Sequence, residues 1–269
     1  MRTLIHLSDL HFGRIDPAIP EPLLQFIRAA KPDLVAISGD LTQRARTAEF
    51  MAARKFVDAI PFPKIVVPGN HDVPLHNLFS RFFRRLDRYQ RIISADLEPF
   101  YIDSEIAVAG INTARALTWK NGRINRQQLQ QLLSRFATVP PTHARIVVTH
   151  HPFDLPPGAK GDRVVGRSKL AMRMLAQCRV DMLLAGHFHL GAISQTATRY
   201  NIDNYSPLIV ASGTSTSTRW RGQPNSLNLI RINESSISIS QYRWGSERSL
   251  FDLFSTETFV RAENGWVRA

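Results

Sequence analysis

The residues of this chain whose types and spacing suit chemistry fall into five short groups: Asp9 with His11, Gly39-Asp40, Gly69-Asn70-His71-Asp72, Thr149-His150-His151-Pro152 and Gly186-His187-Phe188-His189. Together they offer carboxylate oxygen, amide oxygen and imidazole nitrogen, with no thiolate among them. That donor mixture suits Mn, Fe, Zn or Mg-like ions rather than a structural cysteine site. Asp9 and His11 stand two apart, as do His187 and His189, so in an extended segment each pair projects the same way and could share an ion. Taken singly, Asp-x-His and Gly-Asp are ordinary turn chemistry. Gly69-Asn70-His71-Asp72 says more, because a buried strand that delivers three consecutive polar side chains must find partners for them.

The elements that position these groups are short apolar runs, each closed by a polar or glycine turn. Residues 4–7, 34–37 and 65–67 read as buried strands, with helical patterns over 22–30 and 48–60 between them. Strands follow near 106–111, 146–149 and 182–184, with a helix near 168–177. Strand and helix therefore alternate, which argues for an α/β sheet, and every chemical group sits just beyond the C-terminal end of a predicted strand. Residues 208–211, 227–230 and 236–242 are expected to close the fold as an antiparallel set. The stretch 156–166 and the Ser/Thr run 213–218 are irregular and do not read as domain linkers. The whole chain, 1–269, is expected to be one domain.

Bulk composition sets wider bounds. With 269 residues and 43% hydrophobic content the chain can bury a large core. Thirty-four Lys and Arg against 22 Asp and Glu give a formal charge of +12, which favours anionic partners. The sequence reaches Asp9 and His11 before any signal-like apolar run and has no uninterrupted apolar stretch of spanning length, so a cytoplasmic location is expected. Cys178 is the single cysteine and reads as a buried helix residue, which excludes a cross-linked secreted scaffold.

In their order and context the five groups resemble the calcineurin-like metallophosphoesterases, whose pattern is D-x-H, G-D, G-N-H-D/E, H and G-H-x-H. The resemblance covers about residues 3–190. It implies a four-layer α/β/β/α sandwich of two mixed sheets flanked by helices, with two metal ions between the sheets. Carried over residue by residue, one ion would be held by Asp9, His11, Asp40 and His189, and the other by Asp40, Asn70, His150 and His187. Asp40 would bridge them. His150 is the expected ligand of the His150-His151 pair, and His151 a supporting residue. Two ions against two carboxylates leave about two positive charges, so the site should attract phosphate and attack it with a metal-bridged hydroxide. His71 is the candidate for stabilising the transition state or protonating the leaving oxygen, with Asp72 orienting it. His6, His76 and His143 match no ligand position and read as structural, and Asn112 reads as a turn residue.

A basic amphipathic segment follows the Gly-Asn-His-Asp group. As a helix, Phe79, Phe82, Phe83, Leu86, Gln90 and Ile93 share one face and Arg81, Arg84, Arg85, Arg88 and Arg91 the other. This segment, 74–93, reads first as a helix packed on the core with a solvated cationic face; as a cap it could instead guide a large anionic substrate or lie peripherally on an anionic membrane. Among activities, the pattern resembles small bacterial cyclic-nucleotide phosphodiesterases, with a 3′,5′-cyclic nucleotide as the expected diester. A UDP-2,3-diacylglucosamine pyrophosphatase and a nuclease are the enzymatic alternatives. A basic nucleic-acid-binding module is the non-enzymatic one.

Overall fold

Apolar side chains on alternate strand positions point to opposite faces, and here both faces are covered. The computed structural model describes the whole chain except residues 75–83, 117, 119, 120, 156–163, 196–199, 201, 203, 204, 220, 221 and 264. In chain order the elements are β1 (Arg2–Leu7), α1 (Pro20–Ala30), β2 (Leu34–Ser38), α2 (Thr47–Asp58), β3 (Lys64–Val67), α3 (Asp87–Ile92), β4 (Phe100–Ile102), β5 (Ile106–Gly110) and α4 (Arg126–Ala137). They continue with β6 (Ala144–Val148), α5 (Ser168–Gln177), β7 (Met182–Ala185), β8 (Ala192–Gln195), β9 (Leu208–Ala211), β10 (Ser226–Ile232), β11 (Ser236–Gly245), β12 (Leu250–Ala262) and β13 (Gly265–Arg268).

One sheet has the order β13-β12-β11-β10-β1-β2-β3 and the other β4-β5-β6-β7-β9-β8. In each, a parallel centre (β1-β2-β3; β5-β6-β7-β9) is extended by antiparallel strands, so both sheets are mixed. Three apolar clusters separate four layers. Ile5, Leu7, Val35, Ile37 and Val66 pack under α1 and α2 through Leu23, Ile27, Phe50 and Val57. Leu4, Leu34, Ala36, Ile65 and Val67 turn the other way and meet Ile106, Val108, Ile146, Val148, Met182 and Leu184 between the sheets. Ala107, Ala109, Val147 and Leu183 then face Leu129, Leu132, Phe136, Ala171 and Leu175 of α4 and α5. This is the expected α/β/β/α sandwich. Among the described residues no helix is long and apolar enough to cross a membrane.

Several expectations change. Strand β9 does not close an antiparallel set with β10; it pairs parallel with β7 in the second sheet, where Leu208 and Val210 join the inter-sheet core. Its apolar run is compatible with either sheet, and only tertiary packing decides. Helix α4 is an element the apolar periodicity over-looked. Its start was legible, because Asn125 accepts the Gln128 amide at 2.8 Å while Gln128 accepts the Asn125 amide at 2.9 Å. Strands β12 and β13 take up the chain beyond residue 245 by extending the first sheet.

The basic segment is helical only over Asp87–Ile92 among the described residues, with Leu86 and Ile93 buried as expected. Tyr89, not Gln90, fills the core: its hydroxyl donates to the Val66 carbonyl at 3.0 Å and its ring meets Phe50. Gln90 is exposed. Arg84, Arg85 and Arg91 are exposed, and Arg88 donates to the Ala45 carbonyl at 2.9 Å. Phe79, Arg81, Phe82, Phe83 and His76 lie outside the described residues.

Candidate metal centre

The five chemical groups leave β1, β2, β3, β6 and β7 at the same rim, where the parallel strands of both sheets end. Their backbones are not extended. Asp9 (φ 52°), His11 (φ 49°), Asp40 (φ 52°), His187 (φ 75°) and His189 (φ 61°) all adopt the left-handed conformation that costs a non-glycine residue on the order of 1–3 kcal/mol. Each pair converges through tight turns rather than by pleat alternation, which corrects the extended-segment expectation. Backbone bonds hold these turns: Asp9 N–H donates to the Gly39 carbonyl at 3.1 Å, His11 N–H to Asp40 at 2.9 Å, and Gly186 N–H to His150 at 3.1 Å. Two glycines permit the close approach. A Cβ on Gly69 would overlap Asp40 Oδ1, and one on Gly186 would overlap Ser8 Oγ.

Seven expected donor residues thereby come together. Asp9 Oδ1 lies 3.2 Å from His189 Nε2 and 3.5 Å from His11 Nε2, and those two nitrogens are 3.4 Å apart. On the other side His150 Nε2 is 3.1 Å from Asn70 Oδ1 and 3.3 Å from His187 Nδ1. Asp40 Oδ2 joins the two halves, 3.8 Å from His11 Nε2 and 3.3 Å from His150 Nε2. The triads Asp9/His11/His189, Asp9/Asp40/His150 and His150/His151/His187 each bring one ligand atom per residue within 4.8 Å of one another.

These groups fit cations. Asp9, His11, Asp40 and His150 are almost fully buried, yet Asp9 Oδ1 finds no hydrogen-bond donor among the described residues. A buried carboxylate oxygen facing two imidazole nitrogens is satisfied by a metal ion. The other edges of Asp9, His150 and His189 are already engaged. Ser8 Oγ and the His187 amide donate to Asp9 Oδ2 at 2.6 and 3.0 Å, while His150 Nδ1 meets the Ser38 carbonyl at 2.8 Å and His189 Nδ1 the Arg219 carbonyl at 2.8 Å. Such outer bonds orient imidazoles toward a metal.

Charge follows the geometry. Burial opposes ionisation of Asp9 and Asp40, but neighbouring imidazoles, His189 for Asp9 and His150 for Asp40, hold both below the usual carboxylate range. Burial works against a charged His150 as well, but Asp40 raises its pKa to about 9. Burial and the charge of His150 push His187 down to about 3.

His71 is oriented by groups other than the expected one. Its ring Nδ1 meets the Gln43 carbonyl at 2.8 Å and Nε2 lies 2.9 Å from an Arg219 guanidinium nitrogen, while its amide donates to Asp40 Oδ1 at 2.7 Å. Asp72 instead spends its carboxylate on the amides of Leu41, Thr42 and Gly69 and on the Thr42 hydroxyl, at 2.9–3.2 Å. It shapes the loops that carry Asp40 and Asn70. Burial and the charge of Asp40 push its carboxyl up to about 7.

His151 Nδ1 pairs with the Thr113 hydroxyl at 2.7 Å, and its ring stands 4.8 Å from that of His187. His6 bonds Ser38 and Asn228, and His143 bonds the Asp103 carbonyl; among the described residues neither joins a triad of metal-ligating atoms. Asn112 Oδ1 accepts the Ala114 amide in a turn. Arg219 is the residue that motif reading missed, since nothing in its spacing links it to residue 71.

The sequence model of the calcineurin-like phosphoesterases matches residues 2–191. The chain belongs to that family. Over 81 residues it is 36% identical to the glycerophosphodiester phosphodiesterase GpdQ of Enterobacter lignolyticus (strain SCF1), covering 26% of this chain and 29% of that one. Over 164 residues it is 27% identical to the probable glycerophosphodiester phosphodiesterase GpdQ of Arcobacter nitrofigilis, covering 59% of this chain and 57% of that one. Both matches thus span less than two thirds of the relative's length. Among solved structures, purple acid phosphatase PPD1 from yellow lupin (Lupinus luteus) seeds superposes with a TM-score of 0.73 at 13% identity, covering 96% of this chain and 53% of that one. At that identity the likeness establishes the fold alone.

Proposed function

We propose that this calcineurin-like phosphoesterase is a two-metal phosphodiesterase acting as a single domain over residues 1–269. The observation that carries the reading is the placement of Asp40 Oδ2 between His11 Nε2 and His150 Nε2, at 3.8 and 3.3 Å. One carboxylate oxygen flanked by two sets of nitrogen and oxygen donors suits a shared ligand. In this reading Asp9, His11, Asp40 and His189 hold one ion, and Asp40, Asn70, His150 and His187 the other. Two such ions, as Mn, Fe or Zn, supply an activated water and neutralise charge on the phosphoryl oxygens.

The protein's own side chains do the rest. The second carboxylate oxygens of Asp9 and Asp40 are fixed by Ser8, His187 and His71, so the facing oxygens hold still. His71, next to Asn70 but with both ring nitrogens engaged elsewhere, stands beside the reacting phosphate rather than among the ligands. His151, tied to Thr113, backs His187. The exposed Arg84, Arg85 and Arg91 line a pocket with Asp72, a position from which they would attract anionic substrates. A diester as substrate is supported by the glycerophosphodiester phosphodiesterases to which the chain is similar.

Purified protein is expected to hydrolyse bis-p-nitrophenyl phosphate only with added divalent metal, best tested with Mn²⁺, and Asp40→Asn to lose both turnover and metal. Absence of metal uptake in the wild type would end the reading. Profiling 3′,5′-cyclic nucleotides, glycerophosphodiesters, nucleotide-sugar lipids and single-stranded DNA under that metal then ranks the substrates.

A further inference from the structure

The buried Ser/Thr run after β9 has a structural purpose that ends at Arg219. Ser215 N–H donates to the Ser8 carbonyl at 2.9 Å, Thr216 Oγ1 to Leu10 at 2.6 Å, and Thr218 N–H to Arg14 at 3.0 Å. The run is thereby stitched along the loop that carries Asp9 and His11. Asn225 Nδ2 fixes the Ser217 carbonyl at 2.8 Å, and Ser217 Oγ accepts the Arg219 amide at 3.0 Å. From this anchored backbone Arg219 points two ways. Its carbonyl receives His189 Nδ1 at 2.8 Å, and its half-buried guanidinium reaches His71 Nε2 at 2.9 Å.

A guanidinium has donors and no acceptor, so His71 Nε2 must accept from it, and the ring hydrogen then sits on Nδ1 facing the Gln43 carbonyl. His71 in turn lies against the donor cluster: its amide bonds Asp40, and its ring is 5.0 Å from that of His11. A cationic fork is thus held one imidazole away from the shared carboxylate. A neutral imidazole accepts a single hydrogen bond, at its unprotonated nitrogen. A phosphoryl group presents two anionic oxygens and is the stronger, geometrically matched acceptor.

We infer that Arg219 is a phosphate-binding residue, whose guanidinium leaves His71 Nε2 for the non-bridging oxygens of the bound phosphodiester. The inference rests on the two-metal reading above. It adds a third centre of positive charge from the loop that joins β9 of the second sheet to β10 of the first, and assigns a ligand class, a phosphoryl dianion or diester monoanion, to a side chain with no place in the ligand motifs.

The test is calorimetric titration of inorganic phosphate into Mn²⁺-loaded wild type, Arg219→Gln and Arg219→Lys, with metal content and melting temperature measured on each. The bond from His189 goes to the backbone carbonyl of residue 219, which every variant keeps. Arg219→Gln is therefore expected to retain metal and fold while binding phosphate roughly ten- to hundredfold more weakly, with Arg219→Lys in between. Equal phosphate affinity in wild type and Arg219→Gln, or loss of metal from Arg219→Gln, overturns the inference and leaves the two-metal reading standing. A wild type that takes up no Mn²⁺ overturns both.

Discussion

Replacing Gly186 by alanine puts a methyl group between the loop after β7 of the second sheet and Ser8 and Asp9 after β1 of the first. Gly186 has no left-handed backbone to lose, so the penalty is one of contact. The new Cβ would stand 2.5 Å from Asp9 Oδ2 and 2.9 Å from Ser8 Cβ, and would overlap Ser8 Oγ, where ordinary contact begins at 3.4 Å. Asp9 cannot yield sideways without breaking its bonds from Ser8 Oγ and the His187 amide, so its carboxylate must withdraw by about 1 Å. That moves Oδ1 relative to His189 and His11, which now lie 3.2 and 3.5 Å away. A misplacement of about 1 Å in a catalytic constellation costs on the order of a hundredfold in rate, and the overpacking adds about 1–3 kcal/mol of destabilisation. Turnover of bis-p-nitrophenyl phosphate at saturating Mn²⁺, with metal content and circular dichroism on the same samples, measures the effect. Wild-type kcat in a folded, fully metallated Gly186→Ala protein would show that the Asp9 position does not matter and would refute the reasoning.

Other perturbations separate the parts of the site. Asn70→Ala is expected to lower occupancy of one of two metals and cut turnover by orders of magnitude, whereas His71→Ala keeps both metals and loses rate; elemental analysis decides, and loss of an ion from His71→Ala reverses that role. His6 is fully buried, and burial pushes its pKa from 6.5 down to about 3. Between those values the unfolded chain binds a proton that the folded chain refuses, so stability falls as pH drops from about 6.5 toward 3, at up to about 1.4 kcal/mol per pH unit. Urea unfolding at pH 7, 6 and 5 should show a shallower decline for His6→Gln, and parallel curves would exclude His6 as the source.

The order of Asp9, Asp40, Asn70, His150 and His187 along the chain was legible because each follows an apolar run that could only be a buried strand. What carried less signal was how each turns. Asp9, His11, Asp40, His187 and His189 take a conformation that sequence normally advertises with glycine, and here the surrounding bonds impose it on other residues. The run at 208–211 could not declare its sheet, since Leu208 and Val210 suit any apolar face. Gln90 and Tyr89 exchanged roles for a similar reason: the helix starts only at Asp87, so its phase could not be read from the arginine spacing. Arg219 is 148 residues from His71, and only the folded Ser/Thr run brings them together.

The donor atoms do not belong to one half of the sandwich. Asp9, His11, Asp40 and Asn70 follow strands of the first sheet, while His150, His187 and His189 follow strands of the second, and the 3.3 Å gap between Asp40 and His150 crosses from one to the other. A cation seated there acts as a rivet through both plates. Prying the plates apart would require first giving up the ion, so whatever free energy binds a metal there is added to the resistance of the inner apolar layer to opening.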